Sequence, residues 1–185
     1  GIYQHFMAGA KISPRPIVIY NVPGRTSSNV LPATILRLAR ASSQFVAVKE
    51  ATGDLVQGCD IIKHKPDHFL VLSGDDPTAF PFIACGGDGI ISVIGNALPK
   101  EFSSLTHAAL AGEMEAARKV HLQLHDLHHW IYVDGNPPGV KAAMEILGLC
   151  TREVRLPLVP QSPENIVGLK AAMERAGVAQ LLQFK

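Results

Sequence analysis

Four short apolar segments recur through the first half of the chain. They are PIVIYNV (16–22), FVAVKEA (45–51), HFLVLSGD (68–75) and GIISVIGN (89–96). Each is almost continuously apolar and rich in β-branched residues, which is typical of strands that are covered on both faces. The pattern therefore predicts four strands of one sheet.

Helical patterns fill the intervals between these segments. Pro32–Ala41 carries apolar residues at helical spacing behind a proline that suits a first turn. Asp54 is placed to cap a helix that runs to about Lys65. A third helix follows Pro77, and we expect Pro81 to disturb or shorten it. Strand and helix in alternation predict a parallel sheet with right-handed crossovers.

Beyond Asn96 the pattern predicts only helices, at 113–133, 139–147 and from Ser162 to about Gly177. The chain thus has the α/β pattern of about four βα units followed by a helical appendage. We interpret residues 1–98 as the second half of a TIM (β/α)8 barrel and residues 99–185 as a C-terminal helical region. Four barrel strands alone leave an open apolar face, so we expect the chain to begin within a domain.

Lys49 is the residue with the strongest chemical signal. It ends an otherwise apolar strand, and strand alternation predicts that it shares a face with Phe45 and Ala47, the interior of a barrel. Desolvation of an amine favours its neutral form, which can attack a carbonyl carbon and form an imine. The alternative is a lysine that reaches solvent or pairs structurally with Glu50 or Asp54.

Tyr20 and Arg25 belong to the end of the preceding strand and the turn that follows it. A tyrosine can relay a proton to a nearby nucleophile or alkoxide, and an arginine offers a bidentate fork for a carboxylate. Together with an imine-forming lysine they suit keto-acid chemistry. For each of the two, taken singly, a structural role is favoured.

Composition narrows the class of protein without deciding it. The 185 residues are 47% hydrophobic and 18% charged with a net charge of +1, which suits a globular domain and gives no electrostatic case for binding nucleic acid or an anionic membrane. No apolar run approaches the ~20 residues that cross a bilayer. Three cysteines without a C-x-x-C pair predict free thiols and a cytoplasmic location.

Three further groups invite a chemical interpretation, but a structural one is favoured for each. The histidines between 121 and 129 have a spacing that could serve a metal, and we interpret them as a half-exposed helix face. The glycine-rich run 86–89 precedes a strand, so we expect a turn and not a phosphate loop. Asp75 and Asp76 are expected to cap the following helix.

Several motifs in order carry a family resemblance. They are Tyr-Asn-Val-Pro-Gly-Arg-Thr (20–26), Val-Lys-Glu-Ala-Thr-Gly-Asp (48–54), Ser-Gly-Asp-Asp (73–76), Gly-Gly-Asp-Gly-Ile-Ile-Ser-Val (86–93), Asn-Pro-Pro-Gly-Val-Lys (136–141) and Arg-Leu-Pro-Leu-Val-Pro (155–160). In this set the chain resembles the dihydrodipicolinate synthase (4-hydroxy-tetrahydrodipicolinate synthase) family over essentially its whole length. Members of this family are pyruvate-dependent Schiff-base lyases that act in lysine and diaminopimelate biosynthesis.

The resemblance implies a function and a set of roles. Lys49 would form an imine with pyruvate, Tyr20 would carry protons, and Arg25 would hold the carboxylate of the second substrate, aspartate 4-semialdehyde. Gly74 and Ile91 resemble positions whose backbone lines the pyruvate site. No metal or organic cofactor is implied, and a homo-oligomer, dimer or tetramer, is expected.

Two alternatives stay open at this point. One is a related aldolase, of the N-acetylneuraminate lyase or keto-deoxy sugar acid type, although Arg25 favours the synthase. The other is a non-catalytic piece, because the family's first four strands, with a threonine pair of the proton relay and a tyrosine exchanged between subunits, have no counterpart in these residues. Asn136-Pro137-Pro138-Gly139 also departs from the commoner Asn-Pro-x-Pro form.

Overall fold

The structure, a computed structural model, describes residues 1–178. In chain order its elements are α1 (Ile2–Ile12), β1 (Ile17–Asn21), α2 (Pro23–Thr26), α3 (Pro32–Ala41), β2 (Phe45–Glu50), α4 (Leu55–His64), β3 (Leu70–Ser73), α5 (Ala79–Ala84), β4 (Gly89–Ile90), a 3-10 helix (Ile94–Asn96), α6 (Pro99–Leu110), α7 (Met114–Tyr132), α8 (Pro138–Ile146) and α9 (Pro163–Arg175). They divide into two compact units, one of Gly1–Ile91 and one from Ser92 onward.

The first unit is a parallel four-stranded sheet with helices. Its strands lie in the order β1-β2-β3-β4, and every neighbouring pair is parallel, as the alternating pattern predicted. One face of the sheet forms the core. The row Ile19, Val48 and Val71 is completely buried there and packs with residues of α3 and α4 such as Ile35 and Ile61.

Local capping chemistry explains where the helices begin. The Asp54 carboxylate accepts hydrogen bonds from the backbone amides of Val56 and Gln57, which confirms the predicted cap of α4. Pro81 lies inside α5, but it is the third helical residue, where a backbone N–H has no intrahelical partner. The proline is therefore tolerated, and α5 has six residues.

The fourth strand is shorter than predicted. The apolar run 89–96 predicts a full strand, whereas β4 comprises only Gly89–Ile90 and the chain turns into the 3-10 helix. Side chains hold this turn: the Ser92 hydroxyl accepts from the backbone amide of Gly95 at 2.8 Å, and the Asn96 amide donates to the Val93 carbonyl at 3.0 Å. Such local bonds compete with a strand for the same backbone groups.

The second unit is helical, as the pattern predicted, and α7 contacts α6, α8 and α9. The expected apolar stripe of α7 is confirmed, since Leu124, Leu127 and Ile131 are buried. Gly139 permits the close approach of α8 to α7, because a Cβ at that position would lie 1.9 Å from the carbonyl oxygen of Ile131. No larger residue fits this crossing without moving the backbone.

Candidate active site

Tyr20 and Lys49 are direct neighbours at the carboxyl ends of β1 and β2. They are paired in the register of the sheet, and the Lys49 Nζ lies 4.4 Å from the centroid of the Tyr20 ring. An ammonium over an aromatic face at this distance is a cation–π contact. The structure therefore brings together the amine and the phenol that the sequence singled out.

The face of the sheet that carries Lys49 is open in the part of the chain that the structure describes. Tyr20 is 44% exposed and Val18, two residues earlier on the same face, is also 44% exposed, while Lys49 is half-buried. The opposite face carries the core. Lys49 thus does not point into the packed interior formed by the helices, and its amine lies on the side where a barrel interior would be.

One prediction about this strand is wrong. Phe45 was expected on the Lys49 face, but it is fully buried in the core, where its ring lies edge-on to Phe6 of α1. The register explains the difference: Ile17 pairs with Phe45 and the next residue pairs with Ala47, so one extra residue interrupts the alternation. Such an irregularity changes the face on which the preceding side chain lies.

Gly74 lies beside the Lys49 side chain. A Cβ at Gly74 would lie 3.0 Å from both Cγ and Cε of Lys49 and 2.6 Å from the Cβ of Ala51. The absence of a side chain lets the lysine stem pass across the backbone. Gly74 also donates its N–H to the carbonyl of Glu50 at 2.7 Å, so its position next to β2 is held by the backbone.

Ile91 directly follows the last strand, β4, at the same edge of the sheet. Its N–H donates to the carbonyl of Ser73 at 3.0 Å, which continues the ladder by one bond beyond β4. The Ile91 side chain is 42% exposed. The ends of four adjacent strands thus bring Tyr20, Lys49, Gly74 and Ile91 to one edge.

Arg25 belongs to α2, the four-residue helix that directly follows β1. The Arg25 side chain is exposed, and the backbone N–H of Arg25 donates to the carbonyl of Val22 at 2.9 Å. The turn therefore keeps the backbone of Arg25 close to the end of β1, four residues after Asn21.

A buried polar group behind this edge escaped the sequence analysis. Glu50 and Asn21, the neighbours of Lys49 and Tyr20 in the chain, are 2% and 1% exposed and point to the opposite face. The Asn21 Nδ2 donates to the Glu50 Oε2 at 2.9 Å, and the Gln57 Nε2 donates to the same oxygen at 3.1 Å. Polar residues at core positions of two strands were the available signal.

The histidines of α7 lie on the predicted half-exposed helix face with one exception, His128, which is buried. The rings of His121, His125 and His128 have centroids 6.0–6.5 Å apart, and His128 is only 7% exposed. Burial, followed by the charges of His121 and His125, lowers the pKa of His128 to about 4. Burial and then His125 also lower the pKa of His121. Within residues 1–178 no group of three or more His, Cys, Asp or Glu side chains is arranged to hold a metal ion.

The glycine-rich run 86–89 and the pair of Asp75 and Asp76 were the other two groups with a possible chemical role, and both make structural contacts. Asp88, in the glycine-rich run, accepts from the Val71 amide at 2.7 Å and lies 3.1 Å from the Lys65 Nζ, and the run is a turn that joins α5 to β4. The Asp75 carboxylate accepts from the backbone amide and the hydroxyl of Thr78, the N-cap residue of α5. Asp75 thus has a structural contact, but the expected cap is wrong in detail, because the N-cap residue of α5 is Thr78 and neither aspartate.

Comparison with known proteins assigns the family. The profile of the Dihydrodipicolinate synthetase family matches residues 1–176. The chain belongs to this family. A relative named 4-hydroxy-tetrahydrodipicolinate synthase, from Phocaeicola vulgatus, is 51% identical over 160 residues, which are 86% of this chain and 54% of that protein. The chain thus spans about half the length of the curated relatives it matches.

Solved structures of the family have the same fold. The dihydrodipicolinate synthase of Thermotoga maritima is 38% identical and superposes with a TM-score of 0.93, over 96% of this chain and 61% of that one. The chloride-inhibited dihydrodipicolinate synthase of Acinetobacter baumannii complexed with pyruvate is 36% identical, with a TM-score of 0.92 over 96% of this chain and 61% of that one. The chain therefore has an α/β fold of the TIM-barrel type. Among the described helices, none combines the length and the apolar character needed to cross a membrane.

Proposed function

We propose that the complete protein is a 4-hydroxy-tetrahydrodipicolinate synthase, which condenses pyruvate with aspartate 4-semialdehyde through a Schiff base on Lys49. The observation that carries the proposal is the Lys49 amine, held at a strand end against the Tyr20 ring on the open face of the sheet. Relatives of that name at 43–51% identity and a pyruvate complex in the family support the choice of substrates.

Lys49 begins the proposed reaction as the nucleophile. Its neutral amine attacks the carbonyl carbon of pyruvate, and loss of water leaves an imine. Removal of a methyl proton gives an enamine, whose carbon attacks the aldehyde carbon of the semialdehyde. The amine of the semialdehyde then attacks the imine carbon, closes the ring and releases Lys49.

Tyr20 is proposed to carry protons in these steps. Its hydroxyl belongs to a ring that already contacts the Lys49 amine. A group within reach of both the amine and the bound substrate can give a proton to the departing oxygen of the pyruvate carbonyl and later to the new alkoxide. The contact places the Lys49 nitrogen beside the ring, which supports the same role.

Arg25, Gly74 and Ile91 are proposed as substrate-binding residues. A guanidinium matches a carboxylate with two parallel hydrogen bonds, and Arg25 is exposed at the edge where the semialdehyde would arrive. Gly74 passes close to the Lys49 stem and so offers its backbone to the bound pyruvate. Ile91 follows the next strand, β4, at the same edge.

We propose that the sheet is the second half of a (β/α)8 barrel, with residues 1–98 in the barrel and residues 99–185 as the C-terminal helical region. The exposed apolar side chains on the Lys49 face, among them Val18 and Leu70, support this assignment. A closed barrel would bury that face and pair both edge strands, which removes a site of aggregation. The 61% of the Thermotoga maritima chain covered by the match leaves room for the other strands.

We further propose a cytoplasmic homo-oligomer, a dimer or tetramer, that binds small molecules and neither nucleic acid nor membrane. The free cysteines suit a reducing compartment. Exposed apolar residues on helices of the second unit, such as Leu122 and Val167, offer surface that an interface would cover.

Reduction with borohydride in the presence of pyruvate tests the function on the complete protein. The imine is expected to be trapped, so that the peptide containing Lys49 gains the mass of a reduced pyruvate adduct. Lys49→Ala should abolish the adduct, while Lys63→Ala, an exposed lysine of α4 in the same unit, should leave it unchanged. A folded complete protein with no adduct would contradict the mechanism.

The second substrate is tested after trapping succeeds. The proposal expects pyruvate consumption to depend on aspartate 4-semialdehyde, and Arg25→Ala to raise the KM for this aldehyde more than the KM for pyruvate. Cleavage of a sugar acid without condensation of the semialdehyde would instead assign the chain to the related aldolases.

A further inference from the structure

Four polar side chains form a connected group directly behind the proposed active site, on the helix side of the sheet. We call this group, which comprises Asn21, Asn29, Glu50 and Gln57, the Glu50 network. We infer that the Glu50 network is a positioning device, which sets Tyr20 and the loop of Arg25 relative to Lys49. The inference deepens the proposed function and rests on it.

The network joins the two strands whose ends carry the reactive residues. Asn21 follows Tyr20 and Glu50 follows Lys49, and the two are paired in the sheet as their neighbours are. The Asn21 Nδ2 donates to the Glu50 Oε2 at 2.9 Å, which is a cross-strand bond between completely buried side chains. The lateral distance between the two strand ends is therefore held from behind.

The same network closes the loop that carries Arg25. The backbone amide of Val30 donates to the Asn21 Oδ1 at 2.9 Å, and the Asn21 Nδ2 donates to the Asn29 Oδ1 at 2.9 Å. Residues 22–29 thus leave β1 at Asn21 and return to the side chain of Asn21. Both ends of the loop are thus bound to the side-chain amide of Asn21, so the position of Arg25 depends on that side chain.

Helix α4 provides the third support. The Gln57 Nε2 donates to the Glu50 Oε2 and to the Asn29 Oδ1, both at 3.1 Å, and the Asn29 Nδ2 donates to the Gln57 Oε1 at 2.9 Å. The remaining Glu50 oxygen accepts from the backbone amide of Thr52 at 2.9 Å. Strand ends, loop and helix are therefore linked through one carboxylate.

The chemistry requires an acceptor-only group at position 50. Three N–H donors converge on its two oxygens. An amide at that place would direct its own NH2 at one or more of these donors, so at least one bond would be lost. The next row toward the middle of the sheet is filled by Ile19 and Val48, so packing alone does not need a carboxylate here. The carboxylate at position 50 therefore serves the hydrogen bonds that join the strand ends, the loop and α4.

The test compares variants of the complete protein by kinetics per active site. The fraction of sites that borohydride traps with pyruvate is measured first, and kcat is then divided by it. Glu50→Gln is expected to raise the KM for aspartate 4-semialdehyde about 10-fold or more and to lower kcat per trapped site, since small displacements of aligned groups are costly. Glu50→Gln combined with Gln57→Glu restores a carboxylate–amide pair and should recover part of both losses.

Asp88→Asn is the matched control. It breaks a half-buried ion pair with Lys65 at the opposite, amino-terminal side of the sheet. It should lower stability to urea without changing the KM for the semialdehyde. Asn29→Ala is the milder variant of the network, because Asn29 is exposed, and it should raise the same KM even if Glu50→Gln does not fold.

The outcomes separate the two proposals. An unchanged KM and kcat per trapped site in Glu50→Gln or Asn29→Ala, with lowered stability alone, would overturn the positioning role and leave the proposed function intact. A KM that rises equally in Asp88→Asn would also overturn it. Failure of the wild-type protein to trap pyruvate would overturn the proposed function itself.

Discussion

The buried histidine of α7 should make the second unit sensitive to acid. His128 is 7% exposed, and its Nδ1 has no hydrogen-bond partner among the residues that the structure describes. Burial is the largest cause that lowers the pKa of His128 to about 4, and its neighbours His121 and His125 add to the effect. In the folded protein this ring therefore stays neutral at pH values where a histidine in an unfolded chain is charged.

Proton linkage gives the direction and the size of the change in the free energy of unfolding with pH. Between the ordinary histidine pKa of 6.5 and the lowered pKa of His128, about 4, the unfolded state binds more protons, so stability falls as the pH falls. The full difference corresponds to about 3 kcal/mol, at 1.36 kcal/mol for each pKa unit. About 2 kcal/mol of it is expected to be lost between about pH 7.5 and about pH 5.

Urea unfolding followed by fluorescence measures this loss directly. Trp130, the single tryptophan of the chain, lies two residues after His128 in α7 and so reports on this helix. The free energy of unfolding is compared at the two pH values for the wild type, His128→Leu and His128→Gln. Because the comparison is between pH values within each protein, a change in absolute stability does not affect it.

The two variants should lose about 2 kcal/mol less than the wild type between these pH values. His68→Gln, which removes an exposed histidine, should behave as the wild type does. Equal losses in the wild type and in both His128 variants would refute the reasoning, because the acid sensitivity would then come from other groups.

Further predictions concern close contacts, a cap and the proposed proton carrier. Gly139→Ala should destabilise by about 3 kcal/mol because of the overlap with the Ile131 carbonyl, whereas Gly9→Ala, in α1 with nothing nearby, should stabilise by about 0.5–1 kcal/mol in the same urea assay. Asp54→Ala should cost about 1 kcal/mol and Asp54→Ser much less, because only the first leaves two amides of α4 without an acceptor. Tyr20→Phe keeps the ring against the lysine amine but removes the hydroxyl, so kcat should fall about 100-fold or more with little change in KM; an unchanged kcat would exclude the proton role.

Local sequence patterns were sufficient to predict the order of strands and helices and the pairing of Tyr20 with Lys49. Apolar runs and caps act within a few residues of the chain, so the parallel sheet and the start of α4 were predictable. Tyr20 and Lys49 were also predictable, because each ends an apolar strand and the ends of adjacent parallel strands meet. The contact between the amine and the ring follows from that register.

Other features depend on pairings that only the folded chain decides. Phe45 lies on the helix side because an extra residue interrupts the pairing of β1 with β2, and alternation along one strand cannot reveal where such a residue falls. His128 is buried because neighbouring helices cover that side of α7, whereas its spacing in the sequence is equally that of an exposed face.

The Glu50 network has the same physical origin. Its central bond joins residues 29 positions apart in the chain, and neither partner shows from its own neighbours that the other is within 2.9 Å. Sequence alone thus predicted the residues that are proposed to bear the chemistry, since that prediction depends on residue type and strand position. Tertiary structure decided what holds them in place, because hydrogen bonds between distant segments exist only once the strands have found their register.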